Sequence, residues 1–210
     1  MPEPLDARER RELCDLFEEL GPAAPTLCEG WATLDLAAHL VVRERDPLAA
    51  PGIVVGGPFR GLLDRGTDRA LARGYDTLVE QVRNGPPLGP FLVPGLRTVM
   101  NLNEYVVHHE DVRRPNGMGP RTDRPELQDA VWGLLRRGAR LMLRKVHGAQ
   151  VTLRRPEGAS ASVGRGPEVV LTGPPVELLL YLQGRRTAAE VTVTGDPAAR
   201  AALETGDLGI

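Results

Sequence analysis

The sequence predicts an α+β chain, all-helical first and mixed afterwards. As far as residue 145, apolar residues recur at three- and four-residue spacing; after 148 they alternate. Gly and Pro fall between the periodic stretches as punctuation. The change of period places a boundary near 148–150 and gives two domains, 1–148 and 149–210.

The first helix is expected over 6–20, where Leu13, Leu16, Phe17 and Leu20 share a face. "GPAAPTLCEGW" (21–31) reads as a loop. Thr33 or Asp35 can cap the second helix, "LDLAAHLVVRER", which should stop before Pro47. A Gly/Pro-rich link over 47–58 leads to a third helix over 60–83, broken by "NGPPLGPFLVPG" (84–95). A fourth helix covers about 96–113, and a fifth starts at Pro125, a favourable first-turn residue. The second part should hold strands at "AQVTLRRP", "EVVLTG" and "AEVTVTGD". Its helices are expected at "PPVELLLYLQGR" and "DPAARAALE".

Composition narrows the function classes. With aromatics at only 4% of the 210 residues, the core must be built from Leu, Val and Ala. A net charge of -2 and the lack of a basic block argue against a nucleic-acid partner. No run of about 18 apolar residues exists to span a bilayer, so no membrane partner is expected. The charged N-terminus lacks an apolar leader core. Cys14 and Cys28 do not form a CxxC, so the natural expectation is a cytoplasmic protein without a disulfide framework. Cationic residues are almost all Arg, with Lys145 the single Lys, a bias typical of a GC-rich genome.

The chemistry-bearing stretch is "NEYVVHHEDVRR" (103–114). With Glu104 at zero and about 100° per residue, His108 falls about 40° to one side and Asp111 about 20° to the other. The three form a carboxylate–imidazole–carboxylate row, while His109 and Glu110 point elsewhere. One helix cannot close a metal site with two ligands, and His39 in the apolar "DLAAHLVV" is the candidate third. A buried imidazole without a partner costs about 1–3 kcal/mol. His39, Glu104 and His108 would make a two-His, one-carboxylate site with open positions, suited to Zn²⁺ or another divalent transition metal. The plainer reading is a hydrogen-bonded core histidine beside a surface i,i+4 pair. Asp111 is either a partner that orients a ligand, or a general base, or one half of an ion pair with Arg114. Arg113 and Arg114 suit a helix C-terminus and could also bind a substrate carboxylate. Cys28 is expected to pack beside Trp31, and Cys14 to lie in the core. Trp31 is expected to anchor the start of its helix, and His147 to be solvent-exposed.

"TLCEGWATLDLAAHLVVRERDP" (26–47), followed by Glu104-x-x-x-His108, resembles the DinB/YfiT-like metal-binding family. It is most similar to the actinobacterial mycothiol-dependent maleylpyruvate isomerase-like branch. The matching residues are Cys28, Gly30, Trp31, His39, Glu104 and His108. "VVLTGPPVELLLYLQGRR" and "VTVTGDPAARAAL" resemble that branch's second domain. The resemblance implies a DinB-like four-helix bundle followed by a small sterol-carrier-protein-like α/β domain. It implies a divalent metal (zinc, or nickel or iron) on His39, Glu104 and His108. Mycothiol would be the thiol cosubstrate, in a transferase or isomerase acting on an electrophilic small molecule. No Arg aligns as a substrate clamp. The alternative is a metal-binding or small-ligand-binding module without turnover. Related bundles often pair through helices, which leaves a homodimer open.

Overall fold

The structure is a computed structural model that describes residues 3–55, 57–87, 96–206 and 208; for 54, 55 and 96–100 it describes the backbone alone. Among the described residues it is mixed α+β, with helices throughout and one four-stranded sheet. The chain divides into two compact units, Met1–Gly119 and Pro120–Ile210.

Among the described residues the first unit is helical: α1 (Leu5–Leu20), α2 (Thr33–Arg45), α3 (Pro51–Val55), α4 (Arg60–Leu71), α5 (Tyr75–Arg83) and α6 (Leu96–Arg113). α1 packs against α5 and α6, and α2 against α4 and α5. The apolar stripe of α1 lies in the core, with Leu13, Cys14 and Phe17 fully buried. From α2 the core receives Leu36, Ala37, Ala38 and Leu40; from α5, Leu78, Val79 and Val82; and from α6, Tyr105 and Val112. Asp35 reaches back to the Ala32 amide (2.9 Å), which fixes where α2 begins.

Two expected features differ. The helix expected over 60–83 is two helices: α4 stops at Leu71, and Gly74, with φ of 82°, turns the chain into α5. Such a backbone conformation suits glycine and ends a helix. The link over 47–58 contains the short α3. The break expected over 84–95 lies mostly outside the described residues.

The second unit holds α7 (Pro125–Met142), β1 (Gln150–Arg154), β2 (Ser160–Gly164), β3 (Glu168–Thr172), α8 (Pro175–Leu182), β4 (Thr192–Gly195) and α9 (Pro197–Thr205). The sheet order is β2-β1-β3-β4. β1 pairs antiparallel with β2 and parallel with β3, with Val151 opposite Val169 and Leu153 opposite Leu171; β3 pairs antiparallel with β4. α7 packs on α8, and α9 on the sheet. α8 is buried along its whole length, and Gln128 of α7 accepts a hydrogen bond from the Val176 amide at its start (3.0 Å). The units therefore part at Gly119–Pro120, not near 148, and α7 belongs with the sheet. The change of period marks where helix gives way to strand; it does not mark where one core ends. β2 escaped the sequence reading because "SASVG" is small, polar and mostly exposed.

Phe17 fills the centre of the first unit's core and meets Tyr75 edge-on at 6.3 Å between centroids. Phe17→Ala should cost about 3–5 kcal/mol of unfolding free energy in urea titration, through lost burial and the cavity left behind.

Candidate metal centre

α2 carries His39 on the flank of its buried face, and α6 carries Glu104 and His108 one turn apart. The folded unit brings the three together. His39 Nε2 lies 3.2 Å from Glu104 Oε1, and His108 Nε2 lies 3.2 Å from the same oxygen. The ligand atoms of all three fall within 4.8 Å of one another. The side chains are only 13%, 19% and 11% exposed, so water does little to screen them.

Asp111 continues the row. Its Oδ2 accepts from His108 Nδ1 at 2.8 Å and from the Cys28 thiol at 3.3 Å. Arg114, considered as a partner for Asp111, lies 2.5 Å from Glu110 Oε2. The turn carrying Cys28 is tied to α6, since the Leu27 amide donates to the Asp111 carbonyl at 2.9 Å. Cys28 thus reaches the His108 side of the site rather than serving as packing alone. Trp31 is 38% exposed, and its ring lies 5.2 Å from that of His39. At the start of α2, where it was expected to anchor the helix, it borders the site.

The charges are set by this geometry. Burial would lower the His108 pKa, but Asp111, then Cys28 and Glu104, outweigh it and hold the imidazole well above its ordinary range. Burial would raise Glu104; hydrogen bonds from His108 and His39, with the charges of His108 and Arg43, hold it well below the usual carboxylate range. For His39 burial dominates and lowers the pKa, against the pull of Glu104.

These residues fit a divalent ion. Donors at roughly 2.0–2.2 Å from tetrahedral zinc lie roughly 3.3–3.6 Å apart, close to the two 3.2 Å separations observed. With its Nδ1–H on Asp111, His108 turns Nε2 toward Glu104, the carboxylate–histidine arrangement that orients metal-ligating imidazoles. A proton on Nε2 satisfies the same geometry without metal.

Two further groups of metal-ligand type occur among the described residues. Cys28, His108 and Asp111 share His108 with the first; Glu9, Glu12 and His109 form the other. His109 is turned away from the first site and meets Glu9 at 2.9 Å. Arg43, which the sequence reading passed over, approaches Glu104 Oε2 at 3.3 Å. It lies one turn beyond His39 on α2, and that i,i+4 spacing was the available signal. Cys14 lies in the core and His147 is exposed, each where the sequence put it, and Tyr105 is fully buried.

No protein-family model matches the chain. Solved structures do. The chain is similar in fold to mycothiol-dependent maleylpyruvate isomerase. The superposition has a TM-score of 0.54, covers 90% of this chain and 89% of that one, and leaves 18% of residues identical. A histidine-to-alanine mutant of that enzyme gives the same values. A separate match of 75 residues is 39% identical to ribosomal RNA large subunit methyltransferase H of Solidesulfovibrio magneticus. It covers 34% of this chain and 44% of that protein, so the chain spans less than half of that relative's length.

Burial pushes the Cys14 thiol up to about 12, whereas Cys28 is half-buried on a turn. An aromatic disulfide reagent at pH 8 should therefore titrate Cys28 in the folded protein and reach Cys14 only after denaturation. Cys28→Ser should remove the native-state reaction; a rapid thiol persisting in that variant would contradict the burial of Cys14.

Proposed function

We propose that this chain is a DinB-like protein that holds a divalent metal, zinc foremost, on His39, Glu104 and His108. It would use the metal to activate a small thiol, mycothiol by analogy with its fold neighbour, in a transferase or isomerase reaction on an electrophilic small molecule. The observation that carries the reading is the convergence of two imidazole nitrogens on one carboxylate oxygen, with the second nitrogen of His108 tied to Asp111.

When bound, such an ion supplies positive charge that favours the deprotonated form of an incoming thiol. The chain's own residues would set the conditions. Asp111 holds the tautomer and angle of His108. The low exposure of the three ligand side chains keeps the surroundings poorly screened. Trp31 offers an exposed aromatic surface at the rim. Three protein ligands leave a position for the thiol.

The test begins with elemental analysis of protein purified without a metal-affinity step. Wild type should carry about one equivalent of metal and His39→Ala essentially none. Asp111→Asn should weaken affinity by about 10–100-fold in chelator competition. Since a proton and a metal compete for His108 Nε2, and this imidazole is held above its ordinary range, affinity should rise with pH across neutrality and metal uptake should release protons. Mycothiol-dependent isomerisation of maleylpyruvate then tests the chemistry. Metal binding without turnover of any thiol–electrophile pair would make the chain a binding module. Wild type free of metal after incubation with Zn²⁺, Ni²⁺ and Fe²⁺ would refute the site.

A further inference from the structure

Glu104 has two oxygens, and the structure uses them differently. Oε1 faces both imidazoles, while Oε2 faces the Arg43 Nε at 3.3 Å. Arg43 is itself held. Its Nη1 lies 3.4 Å from Asn101 Oδ1 and 3.9 Å from Glu44 Oε1. Glu44 cannot follow Arg43, because Arg10 grips both its oxygens at 2.7 Å and the Tyr105 hydroxyl donates to Oε1 at 2.7 Å. The Arg43 and Glu44 side chains are only 10% and 1% exposed. The guanidinium is thus anchored on its far side and presents one edge to Glu104.

We propose that Arg43 is a positioning residue that restricts Glu104 to one oxygen as a metal ligand. A carboxylate ligates through one oxygen or two. Through two, it would occupy the position that an incoming molecule needs. A guanidinium edge on Oε2 stabilises that oxygen's negative charge in place and keeps a cation on the Oε1 side, since the two positive groups repel. Arg43 therefore preserves the open coordination position. Lys can supply the charge but not the planar edge, so it should replace Arg43 only in part. This inference rests on the metal reading above.

The test uses Co²⁺ as a visible substitute for Zn²⁺ in the full-length protein, comparing wild type, Arg43→Met and Arg43→Lys. Visible absorption reports coordination number, and circular dichroism confirms that each variant is folded. Wild type should give the intense bands of four-coordinate Co²⁺. In Arg43→Met the second oxygen of Glu104 should fill the fourth position, which shifts the bands from their wild-type positions and abolishes the spectral response to an added small thiol such as 2-mercaptoethanol. Arg43→Lys should fall between them. Should Arg43→Met fail to fold, the comparison of wild type with Arg43→Lys decides. Folded variants whose spectra and thiol response match wild type would overturn the role of Arg43 while leaving the metal site standing. A wild-type protein that takes up no Co²⁺ would overturn both.

Discussion

The carboxylate of Glu44 ties the first unit together. It lies on α2, accepts both guanidinium branches of Arg10 from α1, and takes the hydroxyl of Tyr105 from α6. Arg10 also donates to the Val82 carbonyl on α5 (2.8 Å) and stacks over the Tyr105 ring at 4.5 Å. Four helices therefore meet at one buried ion pair. Burying such a pair costs desolvation that its own attraction only partly offsets, so net stability is a weak reason for it to exist. Its geometric demand is strong, because a helix that slid or rotated would leave an unpaired ion in the core. The register it imposes sets α2 beside α6 where His39 meets Glu104 and His108.

The site follows from that register and from a balance of charge. Two carboxylates, Glu104 and Asp111, lie within reach of two imidazoles and one guanidinium. Without metal, a protonated His108 between the two acids satisfies the arrangement. A divalent ion in place of that proton would add charge to a site already lined with acceptors, with Arg43 beside the remaining carboxylate oxygen.

Much of this was legible before any coordinates. The extents of α1, α2 and α6 follow from apolar spacing and from Asp35 and Pro47 as boundaries. The row of Glu104, His108 and Asp111 follows from helical geometry alone; His39 was only a candidate from its apolar run, and the family resemblance is what joined it to Glu104 and His108. The rest depended on contacts distant in sequence. Arg43 is one of many arginines, and its i,i+4 spacing from His39 is the one local mark it carries until α6 is placed opposite. Cys28 reaches Asp111 across 83 positions. The joining of α7 to the sheet depends on Gln128 and α8, a pairing that local periodicity does not encode.

Asp111 is held to the Cys28 turn twice, once through its carbonyl on the Leu27 amide and once through its carboxylate on the thiol. The same carboxylate oxygen orients His108. Opening of the turn and loosening of His108 are therefore one local unfolding event rather than two. The exchange rate of the Leu27 amide with solvent deuterium becomes a direct gauge of how often the site loses its order, readable from a backbone group that touches neither the imidazoles nor any ion.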